Sequence, residues 1–443
     1  MNAVNAPKPV EKALQMLYNA NMEAYAVGGC VRDSLLGKTP NDWDITTSAT
    51  PKEVEQVFEG YRVLETGIKH GTVTVLLDGT PLEITTFRVD GQYLDARHPE
   101  SVSFSRNLLD DVTRRDFTVN TLCWNPQTGV VDLCGGIADL QKGILRAVGE
   151  PDRRFQEDAL RILRGLRFSA TLGFKIEAET AKSILRNRQL LTAVSAERIQ
   201  EEFTKLLLGK NAAKVLREFH EVIEVFIPEL TPLLGCPQHT PYHCYDVFEH
   251  TLHALESIEN DEILRLCMFF HDFAKPACRR TDKAGTDHFK GHEKAGAELV
   301  RPILLRLRYP RKTVDTVTEL IAIHDTKAPK SKMEAKQLLR KIGVDNYRAL
   351  IKIKRADNLA KADPHAIDKK LLQMENYLSE ILENGECYSL KALAVNGNDL
   401  KAIGISDGPE MHRVLDALLD AVIADTCPNE KDALLCFAKT LPR

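Results

Sequence analysis

Residues Val27–Asp33 read VGGCVRD, and Asp42-Trp43-Asp44 follows nine residues later and runs into Ile45–Ser48, ITTS. An apolar–polar run of this kind predicts a strand, in which side chains two apart share a face. Asp42 and Asp44 then point the same way. Two carboxylates side by side repel unless a hard cation sits between them. Further strands are predicted over Thr72–Leu77 (TVTVLL) and Leu82–Phe87 (LEITTF), and Glu83 in the second offers a third carboxylate. Such a set suits two Mg²⁺ ions about 4 Å apart, clamping the attacking and leaving oxygens of a phosphoryl transfer. A D-x-D pair alone is common on surfaces. The paired glycines change the odds: Gly28 and Gly29 let backbone N–H groups approach a triphosphate, with Arg32 behind them.

Outward from this stretch, residues 1–150 mix short β-rich runs with helices. From about 151 onward the pattern is helical, with apolar residues at helical spacing in Glu157–Ala170 and Ala196–Leu208. A Pro- and Cys-bearing connector at Leu234–Pro241 predicts a boundary, and a His-rich helical region follows. The expectation is an α+β chain: a mixed-sheet head (1–150), then an elongated all-α remainder of neck (151–235), His-rich domain (236–365) and tail (366–443).

The chain has 443 residues, 43% hydrophobic and 28% charged, the mix of a globular protein. No apolar run approaches the ~18 residues of a membrane span, and Met1–Val10 lacks the apolar core of a signal peptide. The ten cysteines are scattered without a C-x-x-C pair, which suits reduced thiols and a cytoplasmic location. Net charge is −4, yet Arg153–Arg217 holds 14 Lys+Arg against 7 Asp+Glu. That local excess suits either phosphates or a solvated helical face.

The order G-G-x-V-R-D, D-x-D, Arg114–Asn120 (RRDFTVN) and Glu157–Arg167 (EDALRILRGLR) resembles the ordered motifs of class II nucleotidyltransferases. That group holds CCA-adding enzymes and bacterial poly(A) polymerases. The resemblance is dense over the first ~235 residues and looser in the tail. It implies tRNA, CTP and ATP as partners, with Mg²⁺ as cofactor. It also implies a place near the nucleotide for Arg115.

On a helical wheel, Ala159, Leu160, Ile162, Leu163 and Leu166 share one arc; Glu157, Asp158, Arg161 and Arg164 fall opposite, with Arg167 at the border. The bland reading is an amphipathic helix with an i,i+3 Asp–Arg pair. The chemistry offers a sharper one. Cytosine and adenine each present an exocyclic amine beside a ring-nitrogen acceptor, whereas guanine and uracil present an oxygen beside an N–H. Asp158 accepting from the amine and Arg161 donating to the ring nitrogen would therefore match C and A and reject G and U. The resembling family's motif is read as such an amino-acid template. Arg164 and Arg167 would then hold nucleotide phosphates or brace the template.

Residues 64–88, with G-I-x-H-G-T-V-T-V and E-x-T-T-F-R, look closer to CCA-adding enzymes than to poly(A) polymerases. In the family a loop at the position of Val89–Asp111 lets the pocket switch from C to A; a plain surface loop is the alternative. Asn396–Leu415 also resembles CCA-adding enzymes, and its Gly-Pro-Glu turn would open a tRNA-facing helix.

His250, His271-Asp272, His292, His324 and Asp357 follow the order of an HD domain, a helical metal-dependent phosphohydrolase fold. The resemblance implies a mononuclear site from His250, His271, Asp272 and Asp357, which His292 and His324 would extend to two metals. Imidazole and carboxylate suit Mn²⁺, Fe²⁺, Ni²⁺ or Zn²⁺. A satisfied polar cluster is the alternative. Three functions stand at this point: CCA addition; poly(A) or partial CC- or A-addition; and an HD phosphohydrolase with an RNA-binding N-terminal half.

Overall fold

The computed structural model describes residues 2–68, 71–91, 102–406 and 408–441. Lys69 and His70 of the G-I-x-H-G segment, residues 92–101 of the Val89–Asp111 loop, and Asp407 of the tail turn lie outside them. The chain divides into two compact units. The first comprises residues up to Thr231 with Arg306–Tyr309, and the second Pro232–Leu305 with Pro310 onward.

After the helix Lys8–Asn19, the head of the first unit carries nine short strands among the described residues: β1 (Ala24–Val27), β2 (Asp44–Thr47), β3 (Arg62–Gly67), β4 (Thr72–Leu77), β5 (Thr80–Thr86), β6 (Arg88–Asp90), β7 (Val102–Phe104), β8 (Cys123–Asn125) and β9 (Gly129–Val131). Seven form one sheet in the order β3-β4-β5-β2-β1-β8-β9; β6 and β7 pair separately. The Asp78-Gly79 turn, both residues at positive φ, closes the β4–β5 hairpin, the backbone that a two-residue hairpin demands. The hairpin brings β5 back parallel to β2, setting Asp44 opposite Glu83. Beneath them Ile45, Val73, Val75 and Ile84 are fully buried.

Below the sheet, Thr118–Asn120 forms a single 3₁₀ turn. Thr118 N–H donates to the Arg146 carbonyl (2.9 Å) and its hydroxyl to Asp139 (2.7 Å). Phe117 is buried against Phe168 in an edge contact with centroids 6.0 Å apart. The helices Leu160–Leu172 and Ala196–Leu207 carry the rest of this core through Ile162, Leu163, Leu166, Phe203 and Leu206. The predicted continuous helix over Glu157–Ala170 is not what forms. One helix ends at Glu157, Asp158 is extended (φ −141°, ψ 103°) and the next begins at Leu160. The Asp158 carboxylate accepts the Leu160 amide (3.1 Å). Local bonds of this kind compete with helix continuation.

The second unit is built almost entirely of helices. Among them are Val247–Ser257, Glu262–Phe270, Arg311–Ile323 and Lys332–Leu359, the last kinked at Gly343. A separate apolar cluster in the tail joins Leu400, Leu418 and Leu434. The helix after the Gly-Pro-Glu turn runs Pro409–Ile423. No helix of the described residues is long and apolar enough to cross a membrane.

The turn beneath the sheet depends on close packing at Gly136, where an added Cβ would overlap the Thr118 carbonyl oxygen. Backbone cannot move aside as a side-chain tip can. Gly136→Ala should therefore cost about 1–3 kcal/mol of stability, read from urea denaturation. A change below about 0.5 kcal/mol would mean that the turn yields easily.

Candidate active site and histidine cluster

Asp44 is the first residue of β2, and Asp42 precedes the strand. The period-two argument therefore does not reach Asp42, because pairing with β1 and β5 begins only at Asp44. Proximity survives nonetheless. Asp42, Asp44 and Glu83 all lie exposed at one end of the parallel pair. The surrounding protein thins the hydration of Asp44, and the charges of Asp42 and Glu83 add to this, so its carboxyl is pushed up to about 6 against the pull of Arg115. A crowd of like charges at an open edge is relieved by a hard cation, and three oxygen donors fit Mg²⁺.

Gly28 adopts φ +82°, and a Cβ there would stand 3.4 Å from Arg115 Nη1 and 3.5 Å from the Asn120 carbonyl. The glycine turn and the RRD motif thus meet. Gly29 begins a short helix. Arg115 donates to Asp111 (3.0 Å), as does Arg114 (Nε, 3.1 Å), while Thr46 of β2 donates to the same carboxylate (3.0 Å). Although burial opposes it, the two guanidiniums hold Asp111 below the usual carboxylate range. Arg115 Nε is buried without a hydrogen-bond partner among the described residues. Arg32 is buried, pairs with Asp33 (2.9 and 3.0 Å) and donates to Asn120 Oδ1.

At the helix break, Asp158 and Arg161 do not pair with each other. Asp158 binds Arg198 (2.9 Å). Arg161, predicted on the polar arc, is buried. Its guanidinium donates to Glu157 (2.8 Å) and to the carbonyls of Arg154 (3.0 Å) and Arg114 (2.8 Å). The i,i+3 Asp–Arg pair is replaced by an i,i+4 Glu–Arg pair, because the extended Asp158 turns its side chain out of the helical register. Arg164 binds Asp116 (Nε 2.8 Å, Nη2 2.6 Å), and Arg167 binds Glu202 (2.6 Å) while lying 3.9 Å over the Phe168 ring. Both brace the fold here.

In the second unit His250, His271, Asp272, His292, His324 and Asp357 come together. His250 and His271 are fully buried, and Asp272, His292 and His324 nearly so. Every ring has its Nδ1 against a backbone carbonyl: His250 on Ala360 (3.1 Å), His271 on Met268 (2.7 Å), His292 on Phe289 (2.8 Å) and His324 on Ile321 (2.7 Å). A carbonyl only accepts, so each Nδ1 donates outward, and the Nε2 atoms of all four rings turn inward toward the carboxylates. Nε2 of His292 and His324 face each other at 3.2 Å; two lone pairs so placed repel without a cation between them. Ligand atoms of His250, His271 and Asp272 lie within 4.8 Å of one another, as do those of Asp272, His292 and His324, so Asp272 belongs to both groups. Asp357 lies 3.0 Å from His250 Nε2 and 3.9 Å from His271 Nε2. Burial lowers His250 and takes His324 to about 3; Asp272, despite burial, is held well below the carboxylate range by His271 and Lys275. Lys275 reaches Asp272 (2.7 Å) and Lys361 reaches Asp357 (2.6 Å), on a cavity of about 400 Å³.

A mixed sheet carrying clustered carboxylates beside a glycine turn, followed by a helical body, defines a nucleotidyltransferase of the poly(A) polymerase class. Its family models match in order: the Poly A polymerase head domain over residues 24–146, the probable RNA and SrmB-binding site of polymerase A over 173–234, and the putative tRNA nucleotidyltransferase domain 2 over 294–438. The chain is 37% identical to the CCA-adding enzyme of Lactiplantibacillus plantarum over 436 residues, covering 98% of this chain and 95% of that one. It is 51% identical to that of Leuconostoc mesenteroides over 203 residues, 46% of this chain and 50% of the relative. Its fold matches the crystal structure of the Bacillus stearothermophilus CCA-adding enzyme in complex with CTP, with a TM-score of 0.75 and 28% identity over 98% of this chain and 96% of that one. The chain belongs to the CCA-adding enzymes.

Sequence reasoning missed Asp116, Arg198 and Lys275. Asp116 is the third letter of the RRD motif, and Lys275 stands one turn beyond Asp272, so both carried a local signal. Arg198, forty residues from its partner, carried none.

Removing Arg161 takes a donor from the carbonyls of Arg154 and Arg114 and a cation from Glu157. Arg161→Ala should cost about 2–4 kcal/mol of stability, with the urea midpoint as the measure. A loss under about 1 kcal/mol would show that these bonds are not held in solution.

Proposed function

We propose that this chain adds C, C and A to the 3′ end of tRNA from CTP and ATP, releasing diphosphate, without a nucleic-acid template. The observation that carries the reading is the carboxylate set of Asp42, Asp44 and Glu83 beside the Gly28–Arg115 contact, in a member of the CCA-adding family. Asp42 and Asp44, with Glu83, are the residues to hold Mg²⁺, which when bound offsets charge on the triphosphate and the attacking 3′ oxygen. Gly28 and Gly29 admit the triphosphate to the backbone, and Arg32 and Arg115 supply positive charge beside it. Asp158 accepts the exocyclic amine of C or A; Arg161 donates to the ring nitrogen once a nucleotide draws it from its internal acceptors. Arg164 and Arg167 brace this pair. We assign head, neck, HD and tail segments to 1–150, 151–235, 236–365 and 366–443, the tail meeting tRNA. Ten free cysteines suit a reducing cytoplasm.

The direct test incubates the protein with Mg²⁺ and tRNA transcripts ending before CCA, each nucleotide separately and together, and sequences the 3′ ends. Runs of A alone would point to poly(A) synthesis, and C alone or A alone to a partial activity. Asp42→Ala and Asp44→Ala, both at exposed positions, should lose addition by on the order of a hundredfold or more while keeping tRNA binding. Addition within tenfold of wild type in either variant would sink the metal-site assignment.

A second reading concerns the histidine cluster. Four inward Nε2 atoms around the carboxylates of Asp272 and Asp357 favour a bound Mn²⁺, Fe²⁺, Ni²⁺ or Zn²⁺ at His250, His271, Asp272 and Asp357, with His292 and His324 opening a second position. When bound, such a metal activates water toward a phosphoester, with Lys275 and Lys361 beside the cavity to meet the phosphate. After dialysis, wild type should retain metal by elemental analysis. His271→Ala with Asp272→Ala should not, yet should still add CCA. Equal metal content in the two proteins would leave a plain polar cluster.

A further inference from the structure

The strand order of the head leaves the carboxylates between two different surroundings. On one side Gly28 follows β1, donates to the Leu122 carbonyl just before β8 (3.0 Å) and faces Arg115. On the other side β5, β4 and β3 lead away from Glu83. The register carries one row of side chains across these strands. Asp44 stands opposite Glu83, Glu83 opposite Thr74, and Thr74 opposite Leu64. Directly paired residues share a face, and strands lie about 4.8 Å apart, so the row extends about 14 Å. Leu76, paired with Arg62 and Pro81, is diagonal to Leu64 on the same face. The opposite face is covered: Val73, Val75, Leu82 and Ile84 are buried, and the helix Pro51–Val57 packs against β4 and β5. The row itself is open, with Leu64 39% and Leu76 38% exposed. Two residues along the strands, Thr72 and Thr85 bond each other (2.9 Å), whereas the Thr74 hydroxyl has no partner among the described residues.

We infer that this open face seats the last nucleotide of the RNA, with Leu64 and Leu76 against its base and the Thr74 hydroxyl bonded to its ribose 2′-OH. The inference rests on the reading of Asp44 and Glu83 as carboxylates of the reaction site. The attacking 3′ oxygen then lies beside them, and the nucleotide that carries it must extend away from the triphosphate. In the head that direction runs over β5, β4 and β3. The chemistry of the face suits this occupant. The RNA end changes with each addition, so its seat has to accept more than one base. Every base has a flat face, and side chains that touch it read no hydrogen-bonding edge. A hydroxyl that meets the 2′-OH tells RNA from DNA whatever the base. Two exposed leucines without such a role would affect neither substrate.

The test measures kcat/KM for tRNA transcripts lacking CCA at saturating CTP, and KM for CTP at saturating RNA. The proteins are wild type, Leu64→Ser with Leu76→Ser, and Thr74→Val. The leucine variant should lose about tenfold in kcat/KM for RNA, the worth of one base contact, while KM for CTP stays within about twofold. A transcript whose last nucleotide is abasic should cost wild type a similar factor and the leucine variant little, because both changes remove the same contact. A terminal 2′-deoxynucleotide should cost wild type about tenfold and Thr74→Val little. An unchanged kcat/KM for RNA, an equal rise in KM for CTP, or substrate penalties as large in the variants as in wild type would overturn the proposal. If the double serine variant fails to fold, Thr74→Val, which keeps the side-chain shape, carries the test with the deoxy transcript. A wild type that adds no nucleotide would count against the function itself, so the two failures are told apart.

Discussion

Asp116 puts a carboxylate where little water reaches it, at 7% exposure. A buried charge costs several kcal/mol unless the surrounding groups meet it. Here Oδ1 accepts the Phe117 amide (2.8 Å) and Asn120 Nδ2 (3.0 Å), and Oδ2 accepts Arg164. Asn120 in turn accepts from Arg32, which follows the paired glycines. One buried anion thereby ties the glycine turn, the RRD turn and the Leu160–Leu172 helix together. Against the cost of burial, Arg164 and Asn120 hold its carboxyl down to about 2. Because the folded value lies below the unfolded one, this contribution is present above the ordinary carboxylate range and is lost as pH falls from about 4 toward 2.

The same network divides the arginines of EDALRILRGLR by task. Arg164 and Arg167 answer to Asp116 and Glu202 and stack on Phe168. Glu157 collects Arg153, Arg154 and Arg161. Arg161 is therefore held by the protein's own acceptors, whereas Asp158 faces Arg198 at a break in the helix. A guanidinium held this way gains, on turning to any outside acceptor, only the difference between the two sets.

Much of this was legible in the sequence because the motifs are short and local. VGGCVRD, D-x-D and RRDFTVN each fold within a few residues, and the apolar arc of Ala159, Leu160, Ile162, Leu163 and Leu166 is buried. What escaped depends on single bonds or distant partners. Helical periodicity cannot register that Asp158 prefers the Leu160 amide to a helical turn, so the break went unseen and Arg161 was placed on the wrong arc. Strand periodicity extended one pair too far, to Asp42, because pairing partners set where β2 begins. For the histidines, their order along the chain was visible. The backbone carbonyls that fix each tautomer were not, since they arise only when the helices pack.

The two acidic clusters of the chain obey opposite rules of solvation. Asp42, Asp44 and Glu83 stand at an open edge, and only oxygen donors are present. Water competes there for any cation, so affinity depends on what else arrives with charge, and a triphosphate is such a partner. The histidine cluster is largely buried beside a cavity of about 400 Å³, and its Nε2 atoms already point inward. The cost of organising those donors is met when the helices pack. Imidazole nitrogens preset in this way suit a transition metal better than the open carboxylate edge does. Exposure, more than the number of donors, separates the two clusters.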